Sequence, residues 1–152
     1  MIAFALLIGI AAGLRALAPI AIVSWAAHVG WLQLQGTWLA FLAANVTTYV
    51  ASALALGELI SDKLPKTPSR KVPIQFGTRI LSGALCGAAL AAPSGATFVG
   101  LLLGAMGAVI GTLGGAAVRA RLAQAFGKDL PAALVEDAVA IGGAILLVSR
   151  FA

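Results

Sequence analysis

Gly100-Leu-Leu-Leu-Gly104-Ala-Met-Gly107-Ala-Val-Ile-Gly111-Thr-Leu-Gly114-Gly115 is the stretch that decides the fold class. Its glycines recur at spacings of 4, 3, 4, 3 and 1. At about 100° per helical residue, all six fall within an arc of roughly 100°. In water such a helix is poor, because each interior glycine costs about 1 kcal/mol relative to alanine. In lipid the small face lets another backbone approach closely, and van der Waals packing drives association. Gly100, Gly104, Gly107, Gly111 and Gly115 are therefore expected to pack against another helix, in the same subunit or a neighbouring one.

Outward from this stretch, the chain is apolar almost throughout. Of its 152 residues, 61% are hydrophobic and 10% charged, about two-fifths of the usual charged share. No Asp, Glu, Lys or Arg occurs from residue 16 to 57 or from 80 to 118. The second run is too long for one span of about 20 residues, and Pro93-Ser94-Gly95 near its middle supplies a turn. Five hydrophobic segments emerge, roughly 2–29, 38–60, 74–92, 96–118 and 132–149. The expected fold is an all-α, polytopic membrane helix bundle: one integral-membrane domain over residues 1–152, with about five transmembrane helices.

The first segment is the irregular one. Its 28 residues would make a helix about 42 Å long, against a hydrocarbon core of about 30 Å. Gly9, Gly13 and Pro19 offer places to bend or break it. It reads as a tilted span, a kinked span, or a short re-entrant piece followed by a span, which leaves four to six embedded elements. Ala16-Leu17-Ala18 resembles a signal-peptide cleavage site, but no Lys or Arg precedes the apolar run and Pro19 would follow the cut. The segment is read as retained.

Basic residues gather in two loops, with Lys63, Lys66, Arg70 and Lys71 in 61–73 and Arg119, Arg121 and Lys128 in 119–131. The positive-inside rule puts both loops in the cytoplasm of a bacterial inner-membrane protein, with the N-terminus also inside and the C-terminus outside. Arg150 is then a mild violation. The 31–37 connection has no Lys or Arg, and Trp31 and Trp38 suit the outer interface, as does His28. Clustering in loops, without a broad basic surface, argues against nucleic acid despite the net charge of +5. Cys86 is the only cysteine, so neither an intrachain disulfide nor a cysteine-cluster metal site is available.

The proline-broken 61–73 loop divides the chain into halves, 1–60 and 74–152, that share a faint likeness. Gly13-Leu14-Arg15-Ala16-Leu17 stands against Gly77-Thr78-Arg79-Ile80-Leu81, and each is followed by acids, Glu58/Asp62 and Glu136/Asp137. A diverged internal repeat and chance similarity between Gly/Ala/Leu-rich segments both account for this.

Arg15 is the most anomalous residue. In a straight helix from Ile2 it lies about 20 Å along the axis, deep in the bilayer. An arginine there costs about 2.5–3.5 kcal/mol on insertion scales, so it needs a partner or a hydrated cavity unless the helix breaks and lets it snorkel. Arg79, only five residues into its segment, reads as interfacial. Glu58 and Asp62 are four apart and share a helical face, either as a solvated helix end or as a pair gripping a cation, Arg15 or Arg79. Glu136 and Asp137 enter the last span more than a turn past Pro131 and point about 100° apart. The expectation is that Arg15 and this acid pair form one buried cluster. Asn45, Thr48, Tyr49 and Ser52 make a polar stripe on the second span, either interhelical hydrogen-bond glue or the lining of a path.

Gly13-Leu14-Arg15-Ala16-Leu17-Ala18-Pro19, Ser61-Asp62-Lys63-Leu64-Pro65-Lys66-Thr67-Pro68-Ser69-Arg70 and Leu134-Val135-Glu136-Asp137 together resemble a bacterial integral-membrane family, domain of unknown function 4126. The resemblance covers nearly the whole chain. It implies a compact multi-span protein and suggests that Arg15, Asp62, Arg70, Glu136 and Asp137 belong to recurring motifs, but it brings no established activity.

No Walker loop, Gly-x-Ser-x-Gly elbow, His-Glu-x-x-His helix or cysteine pair occurs, which lowers the expectation of an enzyme. The leading functional expectation is a small transporter or channel for a polar or ionic solute, a homo-oligomer in the lipid bilayer, with no cofactor. Its path would run along the polar stripe, with the Arg and acid residues as gate or ligands. The alternatives are an intramembrane enzyme acting on a phosphorylated lipid, with Arg15 and Arg79 on phosphate and the acids on Mg²⁺, and a non-catalytic assembly factor.

Overall fold

The computed structural model describes residues 2–64 and 72–152. The basic side chains Lys66, Arg70 and Lys71 of the 61–73 loop lie outside the described residues. Among the described residues six α-helices follow one another: α1 Ile2–Leu14, α2 Leu17–His28, α3 Asn45–Ser61, α4 Pro73–Ala91, α5 Thr97–Phe126 and α6 Asp129–Val148. Short 3-10 helices at Trp38–Ala43, Ala92–Ser94 and Ser149–Phe151 lead into α3, cap α4 and end the chain. Counting the 3-10 turns at their ends, α4, α5 and α6 are each long and apolar enough to cross a membrane.

The first apolar segment is not one span. Pro19 has no N–H to give the Arg15 carbonyl, and its ring crowds that carbonyl, so the helix fails at Arg15–Ala16. The two pieces have 13 and 12 residues, about 20 and 18 Å, each short of the hydrocarbon thickness. They run in opposite directions. α1 packs parallel to α5, since Gly9 meets Gly104 while Gly13 meets Ala108 and Thr112. α2 packs antiparallel to α3: the Leu17 amide bonds to Glu58, Trp25 Nε1 donates to Ser52 Oγ at 3.0 Å, and His28 Nδ1 lies 3.1 Å from the Ala43 carbonyl. The outcome is a helical hairpin with its tip at Arg15–Ala16: the segment breaks where the sequence allowed, but neither piece is the full span that the re-entrant alternative placed after the break.

The hairpin brings the two ends of the chain together, where the sequence reading puts the N-terminus inside and the C-terminus outside. Phe4 packs edge-on against Phe151, with ring centroids 6.1 Å apart. The N-terminal residues therefore share an end of the bundle with the C-terminal ones, opposite the ends of α3 and α5 at Ser61 and Phe126. The positive-inside argument counted one unbroken helix over residues 2–29, where the structure has two short helices of opposite direction. Cysteines introduced at Ile2, Gln33 and Ala152 in a Cys86→Ser background are expected to react with a membrane-impermeant maleimide from one side, and one at Lys128 from the other. Labelling of Ile2→Cys together with Lys128→Cys from the same side would contradict the hairpin.

Glycine packing sets the helix spacing. Gly83 and Gly87 of α4 face Gly104 and Gly100 of α5, and Gly107 and Gly111 of α5 face the α1 backbone at Leu6, Gly9 and Ile10. A Cβ on any of these α5 glycines would overlap a neighbouring carbonyl oxygen. Gly114 departs from the expectation, because a Cβ there meets nothing within 4 Å, and Gly115 is half-buried. Around this seam one apolar cluster joins Ile8, Val23, Leu39, Leu90 and Val148, so both halves of the sequence contribute to it. Gly95 (φ 72°) and Gly127 (φ 67°) supply the left-handed turns that fold α5 back on α4 and α6 back on α5. The outer surface is largely apolar, with Val46, Ile74, Phe98 and Leu146 exposed. The two similar pentapeptides have different structures: Gly13–Leu17 straddles the hairpin break, and Gly77–Leu81 lies inside the unbroken α4.

Candidate functional site

A broken helix leaves carbonyls without partners at the end of α1 and amides without partners at the start of α2. In a low-dielectric interior each would cost several kcal/mol unsatisfied. Charged and hydroxyl side chains of three other helices fill these needs. Glu58 of α3 accepts hydrogen bonds from the Ala16 and Leu17 amides, both at 2.8 Å, and so caps α2 with a negative charge where the helix dipole favours one. Arg79 of α4 donates to the Gly13 and Leu14 carbonyls at 2.8 and 2.6 Å, placing a positive charge at the C-terminus of α1. Its guanidinium also lies 3.8 Å from Glu58. Thr112 of α5 donates to the Gly13 carbonyl at 3.2 Å, and Ser82 Oγ donates to the Ala16 carbonyl.

Arg15 sits at the tip itself, with no solvent exposure. Its Nε donates to Asp137 Oδ1 at 2.5 Å, and its Nη1 is paired with Asp62. Lys63 reaches the other oxygen of Asp137 at 3.0 Å. Two cations and two carboxylates thus alternate around the tip, drawn from the hairpin, the end of α3 and the third turn of α6. A buried arrangement with near-balanced charge avoids the large penalty of an unpaired ion.

The sequence-based candidates divide accordingly. Arg15, Glu58, Asp62, Arg79 and Asp137 converge on the hairpin tip. Arg79 is not interfacial: it is 1% exposed, and the α1 carbonyls claim it. Glu136 does not join Arg15. It pairs with Arg119 at 3.2 Å, and Arg119 also holds Asp129 at 2.6 Å, forming a second ion cluster between α5 and α6. The one-residue step from Asp137 to Glu136, about 100° around the helix, separates the two clusters.

The α3 polar stripe splits as well. Thr48 is buried and donates to the Ala44 carbonyl, Ser52 donates to the Thr48 carbonyl, Tyr49 packs edge-on against Trp25, and Asn45 is exposed. Its hydroxyls return to their own helix, and Ser52 also receives Trp25, so the stripe helps join α2 to α3. Lys63, Ser82, Thr112 and Arg119 were missed as site residues. Only the charged pair carried a usable signal, since each lies within one helical turn of an expected span end. Among the described residues, no group of three His, Cys, Asp or Glu side chains is arranged to hold a metal ion.

An all-helical chain with several helices able to cross a membrane, built around a helical hairpin and an internal ion cluster, is the class defined by this geometry. The model of the domain of unknown function DUF4126 matches residues 2–150, and the chain belongs to that family. No curated protein and no solved structure matches it.

Proposed function

We propose that the chain is a small transporter or channel for an ionic solute in the bacterial inner membrane, with the hairpin tip as its gate and the basic loops in the cytoplasm. The observation that carries this reading is the interrupted backbone at Arg15–Ala16, held by side chains of Glu58 and Arg79. Non-helical backbone at membrane depth is tolerated where it is buried in protein or lines a hydrated cavity, and broken helices whose ends face ions are the recurring construction of transport sites. Here the ion pairs Arg15–Asp62 and Arg15–Asp137 close the tip. A solute ion competing for Arg15, or for either carboxylate, opens it.

The enzyme alternative gains less support. Both arginines it assigns to phosphate are already engaged by carboxylates and carbonyls, and the acids it assigns to Mg²⁺ address different partners. The glycine stripe packs within the chain at Gly100, Gly104, Gly107 and Gly111, so an assembly of copies would use another face.

Purified protein in liposomes on a solid-supported membrane, exposed to concentration jumps of phosphate, acetate, chloride, K⁺ and Mg²⁺, tests the proposal. Wild type is expected to give a saturable current for at least one ion. Glu58→Gln, which keeps one acceptor but removes the charge, is expected to lower it at least tenfold. Folded wild type that carries none of these ions above protein-free liposomes would reject transport. Release of phosphate from a phosphorylated lipid in the same liposomes would favour the enzyme instead.

A further inference from the structure

A groove of about 410 Å³ runs between α1 and α6, lined by Phe4, Leu7, Leu14, Val139 and Leu147, with Arg150 at one end. From Phe4 to Leu14 it extends for about 15 Å of helix, half the hydrocarbon thickness and so the depth of one leaflet. Arg150 is its only charged lining residue.

Charge distribution makes this arginine unusual. The chain has five Asp and Glu residues, Glu58, Asp62, Asp129, Glu136 and Asp137, and all lie toward the opposite end of the bundle. The other described Lys and Arg residues lie there too. Arg150 is exposed and makes no hydrogen bond or ion pair with the described residues. A cation thus stands at the mouth of a leaflet-deep apolar groove, with no side-chain carboxylate near enough to neutralise it. The chemistry that complements both features is a phosphate joined to an acyl chain.

We propose that this groove is a binding site for an anionic phospholipid of the leaflet at the terminal end, with an acyl chain between α1 and α6 and the phosphate on Arg150. The apolar walls give no preference over bulk lipid by hydrophobicity alone, since lipid tails are equally apolar. Selectivity comes from Arg150, and a single Lys or Arg near a membrane surface favours an anionic lipid about fivefold. Gly143 lies in the groove wall, and a Cβ added there meets nothing within 4 Å, so a larger side chain at this position enters the groove without displacing the backbone.

The test is native mass spectrometry of the full-length protein, titrated with phosphatidylglycerol or phosphatidylcholine of identical chains, with melting temperature recorded alongside. Wild type is expected to bind phosphatidylglycerol about fivefold more tightly. Arg150→Gln is expected to bring the two lipids to equal affinity, and Gly143→Phe to reduce binding of both, with melting temperature in detergent unchanged. Equal affinities in wild type, or a full preference retained in Arg150→Gln, would overturn the proposal. Loss of a dimer in Gly143→Phe with lipid binding intact would also overturn it, by making the groove a contact between copies. None of these readouts depends on whether the hairpin tip gates an ion.

Discussion

Replacing Arg15 by leucine is expected to destabilise the protein by about 3–5 kcal/mol, because it strands one buried and one partly buried carboxylate that have lost their counter-ion. Asp62 and Asp137 both face this guanidinium, and only Asp137 retains a second cation, Lys63. Asp137→Leu is expected to cost less, since Asp62 still neutralises Arg15. The double variant Arg15→Leu/Asp137→Leu removes one charge of each sign, so its loss should fall short of the sum by about 1–3 kcal/mol. Thermal unfolding of the four proteins in one detergent gives the cycle. Additive losses would show that the two side chains do not act as a unit. Glu136→Leu serves as the contrast, because its partner is Arg119 and its loss should add to that of Arg15→Leu.

Gly104→Ala is expected to cost on the order of 3 kcal/mol, at the upper end for overpacking, although it adds a single methyl group. Gly104 lies where α5 touches two helices at once. Its own Cβ would overlap the Gly83 carbonyl oxygen of α4 and sit 2.8 Å from the carbonyl carbon. The opposing atoms are backbone, which cannot rotate away, so α4 and α5 must separate along their length. Gly114→Ala, ten residues on in the same helix and facing open space, is expected to change stability by less than about 0.5 kcal/mol. Similar melting temperatures for the two variants would mean that glycine spacing does not set the α4–α5 distance.

The helical class and the importance of Arg15 were legible because both follow from strong local terms, hydrophobic run length and the cost of a charge in lipid. Pro19 was legible as a place where a helix could break, but the direction taken after the break was not. A kinked span and a hairpin have the same composition, and the choice depends on whether α3, α4 and α5 supply partners for the freed backbone groups. Arg79 was misjudged for that reason. Its depth was counted from the start of its own apolar segment, whereas its role is set by where α1 ends. Glu136 and Asp137 are adjacent in sequence, and only the orientation of α6 decides which one turns toward Arg15. Arg119 was counted as a loop charge because the apolar run stops at Val118, yet α5 continues to Phe126 and keeps this guanidinium against α6.

The hairpin's dependence on distant side chains also bears on the order in which the protein is made. α1 and α2 are synthesised first, but their end groups and Arg15 are satisfied by residues that come later: Glu58, Arg79, Thr112 and finally Asp137. Asp137 follows Arg15 by 122 residues, which at about 5–20 residues per second means roughly 6–24 s of translation. Arg15 has no acid at all until Asp62 emerges, 47 residues after it, and the helix ends stay partly open until Thr112; the hydrocarbon core is the wrong solvent for both. Residues 2–28 therefore cannot settle at their final depth on emerging. They wait in a wetter or protein-lined setting until α6 arrives, and the first segment made is among the last to be fixed.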